Sequence, residues 1–234
     1  MREKICVPIT DKNLQTFLKN AKKAARQVKW LEFRIDYLKQ APSDYEEILQ
    51  NLAQFSQSNK TILTCRKKEE GGVFSGSEEQ RIRVLNQALK YNFTYVDIEL
   101  STIEQFDLNK NKSKTKIICS FHDFKQTPKL QELKKIRNKI KKQQTDVAKI
   151  TTMVNSTHDI KNLSRLLLDQ EKNLEQIVIG MGNLGKITRV FFPKIGSLLT
   201  YARLNNSGSA PGQLTVEQVL KVNKLINADR EIKN

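Results

Sequence analysis

Two hydrophobic rhythms alternate along the chain. Short runs dense in strand-forming residues are each followed by a longer stretch whose apolar residues recur every three or four positions, the period of a helix with one buried face. The strand-like runs cover 4–9, 30–35, 61–65, 95–100, 116–120, 147–151, 177–180 and 198–201. Between them the pattern predicts a helix over 13–28, where Leu14, Phe17, Leu18, Ala21, Ala25 and Val28 share a face, and one over 44–55, with Ser43 as cap and Glu46 at the capping-box position. Further helices are expected over 78–91, capped by Ser77, and over 128–143, with Pro128 at or near the first turn. Another runs from Ser156 or Thr157 to Asp169, a short one covers 186–191, and the last covers 215–226 with Thr215 as N-cap. After 95–100 only a weak helix or turn is expected. Eight strands alternating with about eight helices, with short connections and no break in composition, predict one α/β domain over 1–234. Such a chain closes as a (β/α)8 barrel in preference to an open doubly wound sheet, and the polar tail 228–234 is expected to fray.

Charge sharpens this picture more than length does. The 234 residues carry 41 Lys and Arg against 25 Asp and Glu, a net charge of +16. A nucleic-acid-binding surface and a solvated lysine coat are the competing readings of that excess. The basic residues are scattered. The one dense patch, 134–142, keeps Ile136 and Ile140 four residues apart, so it reads as the polar side of an amphipathic helix, with no aromatics interleaved for base stacking. The expected partner is therefore an anionic small molecule, not a nucleic acid. Cys6, Cys65 and Cys119 are odd in number, form no CxxC and sit in apolar runs, as reduced, buried residues of a cytoplasmic protein do. No apolar run approaches the ~18 residues of a membrane span, and Met1 leads straight into a strand without a signal-peptide pattern.

Barrel chemistry belongs at the C-terminal ends of the strands, and reactive residues fall there. The second strand ends in Glu32 and Arg34, which alternation turns to one side, either as a structural ion pair or as groups facing the barrel mouth. The third ends at Arg66, with Glu69, Glu70, Gly71 and Gly72 beyond it. The fifth ends in Ser120, Phe121, His122 and Asp123, and the sixth carries Lys149. Met181 and Arg189 follow the seventh; Ser209 and Gln213 lie in the Gly- and Pro-containing loop after the eighth. Lys149 is set among Val147, Ala148 and Ile150. Desolvation there disfavours the ammonium and leaves an amine able to form an imine with a carbonyl, whereas a lysine snorkelling into water is the plain alternative. His122, on a neighbouring strand ~5 Å away, is placed for acid–base work; His158, in the first turn of a helix, reads as a surface residue. The acidic residues and histidines lack a metal-binding spacing, and the glycines form neither GxGxxG nor a P-loop, so no metal and no cofactor are expected. The residue set points to covalent chemistry on an anionic keto compound.

Taken together, Glu32-Phe33-Arg34-Ile35-Asp36, Arg66 to Gly72, Ser120-Phe121-His122-Asp123-Phe124, Ala148-Lys149-Ile150, Met181-Gly182, Arg189 and Ser209-Ala210-Pro211-Gly212-Gln213 resemble type I 3-dehydroquinate dehydratase over nearly the whole chain, in order and spacing. The resemblance implies a (β/α)8 barrel that dehydrates 3-dehydroquinate to 3-dehydroshikimate in the shikimate pathway without a cofactor, in a family that often forms homodimers. It implies that Lys149 forms the imine, that His122 is the acid–base group and that Glu70 orients and tunes it. Arg189 becomes the partner of the substrate carboxylate. Glu32, Arg34 and Arg66 become hydroxyl-binding residues, Ser209 and Gln213 contacts from a closing loop, and Met181 apolar packing beside the ring. One departure is Pro8, where many members place a serine. A Schiff-base lyase of the class I aldolase type is the alternative; it calls for a glycine-rich phosphate-binding element after the seventh and eighth strands, for which Gly180, Gly182 and Gly185 are a partial match.

Overall fold

The computed structural model describes residues 1–39, 45–106, 108, 114–204 and 209–228. Its strands are β1 (Ile5–Ile9), β2 (Trp30–Arg34), β3 (Lys60–Thr64), β4 (Tyr95–Glu99), β5 (Lys116–Asp123), β6 (Val147–Met153), β7 (Glu175–Met181) and β8 (Thr200–Tyr201). All pair in parallel, in the order β7-β6-β5-β4-β3-β2-β1-β8. The seam between β7 and β8 is closed just ahead of β8. The Leu198 N–H donates to the Gln176 carbonyl at 2.8 Å, and the Val178 N–H donates to the Ser197 hydroxyl at 3.3 Å. The sheet is thus the wall of a (β/α)8 barrel, surrounded by α1 (Leu14–Ala25), α2 (Tyr45–Ala53), α3 (Glu78–Ala88), α4 (Leu100–Gln105), α5 (Leu130–Lys142), α6 (Thr157–Leu168), α7 (Gly182–Ile195) and α8 (Val216–Ala228).

The expected caps form. Ser77 and Gln80 make a reciprocal capping box at α3, as do Ser156 and Asp159 at α6. Thr215 and Gln218 exchange the same pair of bonds at α8. The proposed cap Ser43 lies outside the described residues. At α5 the N-cap is Lys129, so Pro128 precedes the helix instead of opening it. Within 134–142, Arg137 departs from the lysine-coat expectation. It is buried and binds Asp169 and Glu171 at 3.1 Å each, while Lys134 and Lys141 pair with the same two carboxylates. The basic patch is partly neutralised by the end of α6.

Several elements run longer than their hydrophobic pattern, α7 and β5 with consequences for the site. α7 was expected over 186–191 but extends from Gly182 to Ile195, through Pro193 in its last turn. The two glycines that hid its start serve close packing: a Cβ on Gly185 would fall 2.5 Å from the Gly180 carbonyl, so helix and strand touch backbone to backbone. β5 continues past Ser120 to Asp123, which carries His122 on strand geometry and not on a loop.

Alternation along the strands divides the molecule. One set of side chains points outward against the helices and builds the main core, with Leu31, Phe33, Leu63, Val96, Ala148 and Val178 among its members. The other set points inward. At the N-terminal ends it is apolar: Cys6, Trp30, Ile62, Tyr95, Ile118, Val147, Ile177 and Leu199 form a second cluster that fills the barrel floor. Two and four residues further along from these positions in β2 to β6, the same inward parity delivers polar and charged groups: Glu32 and Arg34, Thr64 and Arg66, Asp97 and Glu99, Ser120 and His122, Lys149 and Thr151. A dry plug thus supports a polar layer at the mouth.

Candidate active site

Above the plug lies a cavity of about 470 Å³. Its walls include all ten residues singled out from the sequence: Glu32, Arg34, Arg66, Glu70, His122, Lys149, Met181, Arg189, Ser209 and Gln213. β2, β3, β5, β6 and β7 supply the floor. Glu70 comes from the turn after β3, Arg189 from α7, and Ser209 with Gln213 from the segment leading to α8.

Lys149 is only 4% exposed. Its surroundings are more polar than its flanking sequence implies. Nζ donates to Asp97 Oδ2 at 2.7 Å, lies 3.5 Å from Glu32 Oε1 and sits 4.5 Å from the centre of the Tyr201 ring. Two carboxylates and an aromatic face thus surround the amine. Desolvation alone, the expectation from sequence, is therefore an incomplete account of this lysine. Asp97 in turn accepts the Ser120 hydroxyl at 2.6 Å and meets Arg66 at 2.8 Å, both through Oδ1. Burial opposes its charge, but Arg66, Lys149 and His122 outweigh that and hold its carboxyl well below the usual range.

His122 faces the lysine from β5, and its Nδ1 lies 2.9 Å from Glu70 Oε2, which also accepts the His122 backbone N–H at 3.0 Å. With Nδ1 so engaged, Nε2 is the ring nitrogen left for other contacts. Burial, with the charges of Arg66 and Lys149, drives the His122 pKa well below its ordinary value, so the ring is neutral. Burial also pushes Glu70 up to about 7, with Glu99 and Asp97 adding to the rise and Arg66 and the backbone N–H opposing it. One hydrogen bond thus joins a neutral imidazole to a carboxyl that titrates near neutral pH.

Arg34 and Glu32 do not pair with each other. Arg34 forms a two-bond fork with Asp36 at 2.9 and 2.8 Å, and Glu32 accepts the Thr64 hydroxyl at 3.0 Å. Arg189 is 1% exposed and has no carboxylate partner among the described residues; it donates to the carbonyls of Pro211 at 3.1 Å and Tyr201 at 3.4 Å. Burial without a counter-ion lowers its pKa to about 10, and the guanidinium remains charged at neutral pH. The segment 209–213 closes this side. Gln213 Oε1 accepts the Ser209 N–H at 2.9 Å, and the Gly182 N–H donates to Pro211. Gly212, at φ +73°, packs so tightly on Gly182 that a Cβ would come 2.2 Å from its carbonyl oxygen. Residues 205–208 of the expected closing loop lie outside the described residues. Pro8 is in register with Glu32, beyond the two residues at which β1 pairs with β8, and brings no side-chain donor or acceptor.

A profile of the family described as Type I 3-dehydroquinase matches residues 5–230. The chain belongs to that family. The 3-dehydroquinate dehydratase of Coxiella burnetii is 36% identical over 211 residues, spanning 90% of this chain and 88% of the relative. The crystal structure of 3-dehydroquinate dehydratase from Geobacillus kaustophilus superposes with a TM-score of 0.87 at 25% identity, covering 97% of this chain and 91% of that one. The type I enzyme of Clostridium difficile, solved with covalently modified comenic acid, gives 0.85 at 25% identity, with 97% and 93% coverage. The glycines after β7 are accordingly packing residues of a type I 3-dehydroquinase barrel, not a phosphate loop.

The structure adds residues to the site that the sequence reading of this type I 3-dehydroquinase missed. Asp97 and Glu99 are the foremost. Glu99 accepts Arg66 at 3.0 Å and Arg81 at 2.9 Å, and Arg81, fully buried on α3, also holds Glu78, Thr102 and the Cys65 carbonyl. A line of buried charge thus runs from α3 through Arg81, Glu99, Arg66 and Asp97 to Lys149. Tyr201 and Thr151 complete the cavity wall.

Proposed function

We propose that this barrel dehydrates 3-dehydroquinate to 3-dehydroshikimate through an imine on Lys149, as a step of the shikimate pathway. The observation that carries this reading is the presence, in one cavity, of a buried lysine and a buried guanidinium, the guanidinium without a carboxylate partner among the described residues. An unpaired buried cation is costly until an anion arrives. A ring carboxylate on Arg189 meets that need and fixes the ketone carbon toward Lys149.

In this reading neutral His122 takes a proton from Lys149, and the freed amine adds to the C3 ketone; the imidazolium then returns that proton to the carbinolamine oxygen, which leaves as water to give the iminium and a neutral His122. The iminium withdraws electrons and acidifies C2–H. His122 Nε2 removes the C2 proton to form an enamine. The enamine electrons then form the C1–C2 double bond as the C1–O bond breaks, and the imidazolium returns its proton to the departing oxygen. Water hydrolyses the remaining imine and frees Lys149. Glu70 fixes the His122 tautomer and stabilises its protonated form. Glu32, Arg34 and Arg66 receive the remaining hydroxyls, Met181 packs against the ring, and Ser209 and Gln213 cover it, excluding competing water.

The test is borohydride reduction of the protein with 3-dehydroquinate, read by intact mass and peptide mapping. The expected result is one adduct on the peptide holding Lys149, with neither adduct nor turnover in Lys149→Ala. Near-native turnover by Lys149→Ala overturns the covalent route. Absence of any adduct or enone absorbance with wild-type protein overturns the substrate.

A further inference from the structure

A buried polar atom without a hydrogen-bond partner calls for a water, an ion, a ligand or a functional role to account for it. Seven such side-chain atoms occur among the described residues, and four belong to residues lining the cavity: Arg189 Nε, Gln213 Nε2, Tyr201 OH and Thr151 Oγ1. Thr151 stands apart, because the roles assigned above leave it unused. It is 5% exposed and lies two residues beyond Lys149 on β6, on the same inward parity. Parallel pairing places it opposite His122 on β5 and opposite Ile179 on β7. Ile179 offers no polar group, and His122 has Nδ1 committed to Glu70. The Thr151 hydroxyl therefore shares the cavity wall with the His122 ring, one strand spacing away, and has no protein atom to satisfy it among the described residues.

Resting on the dehydration reading above, we propose that Thr151 Oγ1 binds the substrate oxygen that His122 protonates as the C–O bond breaks. The chemistry suits a hydroxyl. Before cleavage the C1 oxygen is both donor and acceptor; once it takes the His122 proton it becomes water, with two hydrogens to donate. A threonine hydroxyl rotates to donate to the first species and accept from the second, which neither a carboxylate nor a guanidinium can do. The proton passes from His122 Nε2 to the oxygen, the C–O electron pair leaves with it, and Thr151 gains and loses no proton. Its β-branched carbon limits χ1, so the hydroxyl is held at the wall.

Thr151→Val is the decisive substitution, since it keeps the shape and β-branching and deletes the hydroxyl; Thr151→Ser restores the hydroxyl on a smaller side chain. Steady-state kinetics on 3-dehydroquinate are run beside borohydride trapping. Trapped substrate and trapped product differ in mass by one water, so the ratio of the two adducts reports where the reaction stalls. For Thr151→Val the expected result is a kcat about tenfold lower, about 1.4 kcal/mol, with KM within about threefold. The imine should still form and the trapped population should shift toward the heavier substrate adduct. Thr151→Ser should return most of kcat and the adduct ratio. Unchanged kcat and adduct ratio in Thr151→Val overturn the assignment, as does a loss of kcat with the product adduct still dominant. A fall in melting temperature that parallels the kinetic loss and is not relieved by serine shows a packing role and overturns it too. Wild-type protein that forms neither adduct nor product refutes the dehydration reading itself, which the variants do not address.

Discussion

Asp97→Asn tests whether the carboxylate beneath Lys149 holds the site together. The side chain receives three donors: Lys149 on Oδ2 at 2.7 Å, and Ser120 and Arg66 on Oδ1 at 2.6 and 2.8 Å. An asparagine fills the same volume but has one acceptor oxygen. If that oxygen serves Ser120 and Arg66, the amide NH2 faces the Lys149 ammonium, donor against donor; if the amide flips, it faces a guanidinium. Either way a buried cation loses its nearest counter-ion, since the Lys149 and Asp97 side chains are 5% and 0% exposed. Breaking a buried pair from one side costs about 3–5 kcal/mol, a large share of the ~5–15 kcal/mol typical of a whole domain. At roughly 2–4 °C per kcal/mol for a chain of this size, the melting temperature should fall by roughly 6–20 °C. Lys149→Met provides the control. It removes the cation while Asp97 keeps Arg66 and Ser120, so it should cost less, and the double variant should be more stable than the sum of the single losses predicts by about 1–3 kcal/mol. Chemical denaturation of the four proteins gives all three numbers. A loss under about 0.5 kcal/mol for Asp97→Asn, the scale of an ordinary surface change, or zero coupling to Lys149→Met, refutes the view that this pair is a structural keystone of the site.

The unpaired guanidinium makes a two-sided prediction: Arg189→Met should raise KM roughly 100-fold, the loss of one charge-assisted interaction of about 2–3 kcal/mol, while the free protein becomes no less stable, because a desolvated cation is replaced by an apolar side chain. Calorimetry and steady-state kinetics read both, and a destabilised variant with native KM contradicts the assignment. The Glu70–His122 pair predicts a pH effect. Glu70 stands at about 7 in the fold against an ordinary 4.5. The native state therefore takes up a proton between those values, and this group costs stability as pH rises through that window. His122, lowered by burial, acts oppositely: its cost appears as pH falls below 6.5, where the unfolded chain gains a proton that the native state refuses. Glu70→Gln removes the first slope and leaves the second, so its urea midpoint should rise more steeply than wild type between about pH 5 and pH 7.5; equal slopes would show that Glu70 is not neutralised by burial.

The fold was legible because a parallel barrel writes itself in a repeated alternation of short apolar runs and amphipathic helices, and the caps Ser77, Ser156 and Thr215 mark three helix starts without tertiary help. α7 was underestimated because its limits lie in Gly182, Gly185 and Pro193, residues that read locally as breakers. There close packing against Gly180 overrides local propensity.

The site was legible for a related reason. A charged residue on the inward parity of a barrel strand cannot reach solvent through the sheet, so it must be satisfied inside, and sites are built from such residues. Alternation picks out Glu32 and Arg34 this way, while Arg66, His122 and Lys149 are read from their places at the C-terminal ends of strands and follow the same parity. Asp97 and Glu99 obey the same rule in Tyr95-Val96-Asp97-Ile98-Glu99, and applying the parity test to β4 would have exposed them. Partners are a different matter. Lys149 meets Asp97 across 52 positions of sequence, and Arg81 reaches Glu99 from a helix, so both contacts depend on strand register and helix placement that no local pattern encodes. The consequence is chemical. From its own segment Lys149 reads as a lysine made neutral by apolar surroundings; in the fold it is an ion-paired lysine on an aromatic face, next to a histidine held neutral by burial. The proposed activation of the amine then becomes a property of the Asp97–Lys149–His122 group, assembled from three strands, and not of the lysine's own desolvation.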